Sequence, residues 1–183
     1  MALETNAAGH HPEISPTAYV HPTATVIGRV HIGDLAFVGP QAVLRADEVG
    51  PNGTVEPIVI SPRANVQDCA VIHALGGTGV TIGPRTSIAH AAIIHGPCEI
   101  GADCFVGFHS VVFRASLGNG VIVMHQALVE TADVPKNLLV PSRAAVCCEE
   151  DVNQLLQVTP EDVAFAKKVS SANILLAQAA LDE

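Results

Sequence analysis

Three histidines in the middle of the chain suggest a metal centre built from separate strands. His73 closes the stretch "VIH" at 71–73, and His90 and His95 lie within "SIAHAAIIHG" at 87–96. Imidazole is accepted by zinc, iron and cobalt alike. Three neutral imidazoles leave such an ion its full charge and an open position, where water loses a proton near pH 7 and becomes a nucleophile. The five-residue step from His90 to His95 puts the two side chains on opposite sides of a strand, or about 140° apart on a helix. Local structure does not bring them together, so a larger element must carry each one to the ion.

That element is a repeat. Aliphatic residues recur at every sixth position through Ile14, Val20, Val26, Ile32, Val38 and Leu44. After an insertion the series continues with Ile60, Val66 and Ile72, and after a second with Ile82, Ile88, Ile94, Ile100, Val106 and Val112. A one-residue contraction then gives Leu117, Val123 and Val129, making 18 aliphatic positions. Small residues such as Ala36, Ala64, Ala92 and Cys104 follow four places after these leads. A period of six scatters side chains around a helix axis, so it does not describe an amphipathic helix. It suits a triangular coil with one short strand and one turn per side, aliphatic residue inward and small residue at the corner. A sandwich of two sheets has no reason to hold so strict a register.

The expected fold is therefore all-β, a parallel β-helix of about six triangular coils, roughly 30 Å tall at about 4.8 Å per rung. Residues 1–13 read as an N-terminal tail and 14–145 as the β-helix. Residues 146–183 read as a linker and a C-terminal helix that packs on the prism or on a neighbouring chain. Thr159 reads as the helix N-cap, Pro160 as its first residue and Asp162 as an acid in its first turn. Val163, Val169, Leu176 and Ala180 are the expected apolar stripe.

The register places the histidines. Three hexads make one coil, and Ile72 and Ile94 are three leads apart. His73 and His95 then share one column on one face, about 4.8 Å apart, close enough to bind one ion. His90 follows Ile88 on a different face and would reach that ion only from a neighbouring chain, around a threefold axis. Arg45 lies one rung below His73, and Asp68 one rung below His90, with Gln67 beside it. Pairing of Arg45 with Asp68 across the interface is the simpler role for both. His10, His11, His21, His31, His109 and His125 read as ordinary surface or interface positions.

Composition narrows the function. The chain has 183 residues, 49% of them apolar but only 3% aromatic, so its core must be aliphatic and its interior narrow. The net charge of −9 argues against nucleic acid and anionic membranes as partners. The start of the chain lacks the apolar run of a secretory signal, and no stretch has the length of a membrane span. An odd count of five cysteines without a secretion signal favours reduced thiols and a cytoplasmic location, and the lack of a CxxC argues against a cysteine metal site or redox role.

In "VLRADE" (43–48), "NVQD" (65–68), "VIHAL" (71–75) and "SIAHAAIIHG" (87–96) the chain resembles the gamma-class carbonic anhydrases. The left hand of the β-helix comes with that resemblance, since parallel crossovers are otherwise almost always right-handed. The resemblance implies a homotrimer that holds Zn2+ (or Fe2+ or Co2+) at each interface. Its ligands would be His73 and His95 of one chain and His90 of the next. It implies reversible hydration of CO2 to bicarbonate, with metal hydroxide as the nucleophile. It makes Arg45 and Asp47 interface partners alongside Asp68, Gln67 and Asn65 the active-site amides, and Glu48 the active-site carboxylate. Asn173 matches a family asparagine in the C-terminal helix, and Phe108 is a candidate wall for CO2.

Two departures mark a shorter, loopless subfamily. The long acidic loop of the family's prototype is reduced here to "HALGGTG", with Gly76 where the proton-shuttle glutamate would stand. Ser171 occupies the place of an aromatic hydroxyl. The rival functions on the same fold are a metal-dependent thioesterase, a coenzyme A-linked acyltransferase and a non-catalytic metal-binding assembly protein. The acyltransferase would need only one histidine, as a general base.

Overall fold

The aliphatic leads point inward, and they organise everything else. In the computed structural model, which describes residues 2–181, Ile72, Ile88 and Ile94 are completely buried, as are Leu44, Val66 and Val106. Leads three hexads apart lie in register on adjacent rungs, as Leu44, Ile72, Ile94 and Val112 do on one face. The result is a left-handed parallel β-solenoid of about seven turns with three faces. The first face has eight strands, from Ala2–Glu4 to Ala145–Val146 and including Val43–Ala46, Val71–Ala74 and Ile93–Gly96. The second face has seven strands. The third has eight and includes Asn65–Val66 and Ser87–Ile88.

The corners explain the small residues. Along one corner Cys69, Ala91, His109 and Gln126 all adopt left-handed φ, between 56° and 59°. Each is followed by a small side chain that fits beneath the bend: Ala70, Ala92, Ser110 and Ala127, none more than 3% exposed. All five cysteines are free thiols, with Cys98 and Cys104 buried, and burial pushes the Cys104 thiol up to about 11.

The solenoid is longer than the six coils the hexads predict. After Val129 the inward series continues with Val134, Val140 and Val146, each in register with the rung before. The spacing from Val129 to Val134 is five residues, repeating the contraction between Val112 and Leu117. The second contraction falls at the same corner, where Arg114 and Thr131 take left-handed φ, and it breaks a strict count of sixes. At the other end Ala2–Glu4 lies within the expected tail, yet pairs in parallel with Thr25–Gly28 and places Leu3 against the core.

A short helix, α1 (Glu149–Asn153), and an antiparallel strand, Leu156–Gln157, follow the last coil; the strand pairs with Leu138–Val140. The second helix, α2 (Pro160–Ala179), begins with a capping box: Thr159 Oγ1 accepts from the Asp162 N–H, and Asp162 Oδ2 accepts from the Thr159 N–H. α2 packs on the third face through Ala166, Ser170, Asn173 and Ala177. This corrects the expected stripe, since Val163 and Leu176 are about half exposed. Small residues let the helix axis come close to the sheet, which pushes the larger side chains to its flanks. No helix among the described residues is long and apolar enough to cross a membrane.

Candidate functional site

On a strand of the solenoid every second side chain points out. The strand Val71–Ala74 buries Ile72 and turns His73 outward, and Ile93–Gly96 does the same with Ile94 and His95. The two strands are paired in register, so His73 faces His95 across one rung, and Arg45 sits directly below His73. His73 Nδ1 lies 3.2 Å from His95 Nε2. That contact is a hydrogen bond between the two rings through Nδ1 of His73, and it leaves Nε2 of His73 for another partner.

The rest of this cluster is acidic and only partly satisfied. Arg45 is tied to Asp47 within the same chain, its Nη2 3.1 Å and its Nε 3.2 Å from Asp47 Oδ2. His73 Nε2 lies 3.3 Å from Glu48 Oε1 and 3.6 Å from Asp47 Oδ1. Neither His73 Nε2 nor Asp47 Oδ1 makes a hydrogen bond, although both atoms are buried. Buried polar atoms without partners are uncommon, and a ring nitrogen and a carboxylate oxygen left unpaired side by side suit a shared cation. Burial lowers the pKa of His73, and the neighbouring Arg45 guanidinium lowers it further. The ring is therefore held neutral, the form that binds a metal. Glu48 is fixed from its other side, because the Gly76 N–H donates to its Oε2 at 3.0 Å.

His90 lies elsewhere. It projects from the third face, in register above Asp68, with its Nδ1 3.5 Å from Asp68 Oδ2. The Phe108 ring stacks on it from the next rung, at 5.4 Å between centroids. His90, Asp68, Gln67, Phe108 and Asn173 line one cavity of ≈ 540 Å³ with the flank of α2 that carries Phe165 and Val169. Asn173 is 8% exposed and donates to the Val169 carbonyl.

Gln67 and Asn65 point away from the prism axis, but both are buried. Ser87, Asn65 and Gln67 form a relay: Gln67 Nε2 donates to Asn65 Oδ1 at 3.0 Å, and Asn65 Nδ2 donates to Ser87 Oγ at 2.8 Å. The relay fixes the Gln67 amide and leaves its carbonyl oxygen free to accept. Sequence reasoning missed Ser87, although the register that pairs it with Asn65 was the available signal. It also missed Phe113, which packs edge-on against His95 from the rung above.

One chain thus presents two half-sites. His73, His95, Glu48, Asp47 and Arg45 gather on the first face, and His90, Asp68, Gln67, Asn65 and Asn173 on the third. No cluster of three metal-binding side chains forms among the described residues.

A family model described as bacterial transferase hexapeptide (six repeats) matches residues 79–114. The chain is 32% identical over 189 residues to a carbonic anhydrase of Methanosarcina thermophila, covering 91% of this chain and 74% of that protein. It is 39% identical over 171 residues to the carboxysome assembly protein CcmM of Synechocystis, covering 87% of this chain. It spans only 24–33% of the length of the carboxysome assembly proteins it matches. Among solved structures, a hexapeptide transferase family protein from Anaplasma phagocytophilum superposes with a TM-score of 0.81 at 27% identity, covering 97% of each chain.

Proposed function

Because the chain belongs to the hexapeptide-repeat family that includes the gamma-class carbonic anhydrases, we propose that it interconverts CO2 and bicarbonate at metal sites shared between the chains of a homotrimer. The observation that carries this reading is the in-register His73–His95 pair with its orphaned, neutral imidazole. In the proposed site His73 and His95 of one chain and His90 of its neighbour hold Zn2+, Fe2+ or Co2+. A divalent ion in three imidazoles supplies a nucleophile at neutral pH by acidifying water.

The chain's own residues do the remaining work. Gln67, held through Asn65 and Ser87, offers a fixed carbonyl acceptor that orients the attacking O–H. Glu48 has one oxygen on the Gly76 N–H and the other facing His73, and its side chain is 43% exposed. That position lets it pass protons between the site and solvent. Phe108, Phe105 and Phe165 give the His90 side an apolar wall suited to a nonpolar gas. Asp47 neutralises Arg45, and Asn173 closes the cavity from α2.

Metal analysis with stopped-flow CO2 hydration tests the proposal on metal-loaded protein. About one ion per chain and hydration well above the buffer rate are expected. His73→Ala and His95→Ala should each lose the ion with an unchanged circular dichroism spectrum, and full metal retention in either would sink the site. Similarity to CcmM favours a second reading, a non-catalytic metal-binding module of a larger assembly. Metal bound at one per chain with no hydration above buffer would support it.

A further inference from the structure

α2 lies over the third face with a cavity on each flank. One contains His90. The other, of ≈ 590 Å³, opens between α2 and the corner that joins the second and third faces. No residue of the candidate metal site lines it.

Its walls are of two kinds. Ile122, Val163, Ala166 and Ile174 make an apolar floor and side. The donors are Lys167 and Ser170 from α2 and the corner residues Asn119 and Asn137. Ser170 is 5% exposed, and its hydroxyl has no hydrogen-bond partner. A buried helical serine can return its proton to a carbonyl one turn back; Ser170 does not, which leaves its hydroxyl for a partner at the cavity wall. Asn119 accepts from the Ala102 N–H through its Oδ1, which turns its NH2 group outward.

The charge balance identifies the ligand class. Arg85 is neutralised by Asp103 in a two-pronged ion pair, both contacts at 2.6 Å. Lys167 is in no ion pair among the described residues, so the cavity carries one uncompensated positive charge. A dianionic phosphate would leave charge unmatched, and an uncharged ligand would leave Lys167 unmatched. We propose that this cavity binds a small organic monoanion, a carboxylate on a short apolar body. The carboxylate meets Lys167, Ser170 and Asn119, and the body lies against Ile122, Val163 and Ile174.

Titration calorimetry of the full chain with hexanoate tests this, with hexanamide and inorganic phosphate as comparison probes. Saturable hexanoate binding is expected, weakened about tenfold or more when the ligand charge is removed in hexanamide or the protein charge in Lys167→Met. Ser170→Ala should weaken it several-fold. Val163→Trp, which enlarges a half-exposed wall residue into the cavity, should abolish it, with circular dichroism showing each variant folded. Binding should persist in His95→Ala, because the metal is not its anchor. The proposal is overturned if hexanoate fails to saturate, if Lys167→Met and Ser170→Ala both bind it normally, if phosphate binds as well, or if His95→Ala loses it.

Discussion

His73 has a neighbourhood that favours its neutral form, and this has a consequence for pH. Burial and Arg45 hold its pKa below the ordinary histidine value of about 6.5. Above that value the ring is neutral in both folded and unfolded chains and contributes no pH dependence. Below it the unfolded chain takes up the proton more readily, so stability falls as the pH falls. In the metal-free protein, denaturant midpoints should be flat from pH 8 to 7 and decline below about 6.5. His73→Ala should lose part of that decline. An identical pH profile in the variant would show that His73 is not the titrating group. Gly76 invites the opposite experiment. A Cβ there would stand 2.6 Å from the Val49 carbonyl oxygen, so the position admits no side chain without backbone movement. Gly76→Glu, designed to restore a shuttle carboxylate, should lower stability and detach Glu48 from its backbone donor, and the hydration rate at low buffer concentration should not rise. A faster rate at low buffer concentration in a variant that is as stable as the parent would contradict this account.

At the scale of elements, the strands were legible in the sequence because a lead residue every six places has one physical meaning, an inward side chain on each side of a triangle. The columns that place Arg45, His73 and His95 followed from counting alone. Contractions were harder to read. A five-residue step looks like the end of a repeat, yet the solenoid makes two at one corner and continues to Val146. The helix was legible at its start, where Thr159, Pro160 and Asp162 carry a complete capping signal. Replacing Thr159 with Ala should cost about 1 kcal/mol, measurable by thermal unfolding of both proteins, and an unchanged midpoint would mean that α2 unfolds separately. Its buried face was not legible. Hydrophobicity points to Val163 and Leu176, whereas close approach to the sheet selects Ala166, Ser170 and Ala177. The Ser87–Asn65–Gln67 relay was hidden for a related reason, because polar side chains under a helix look like surface residues in sequence.

At the scale of the whole molecule, the two half-sites face different directions, and this sets the sharpest test of the proposed trimer. Alone, His73→Ala and His90→Ala should both lack metal and activity. In a mixed trimer one interface joins His73 and His95 of a His90→Ala chain to His90 of a His73→Ala chain. Joint refolding or co-expression should therefore restore one site per hybrid trimer, with metal content returning in proportion. Hybrid trimers that stay metal-free would exclude a shared site.

A stack of rungs that touch only their neighbours frays from its ends. His73 projects from the third of the seven turns and His90 and His95 from the fourth, so either end must lose several rungs before the ligand frame loosens. Backbone amides of Ile72, Ile88 and Ile94 should exchange with deuterium orders of magnitude more slowly than those of Leu3 or Val146. Uniform exchange along the chain would mean that the solenoid opens as one unit. With a graded profile, the protein can shed and regain its terminal coils on the timescale of exchange while its imidazoles remain in place.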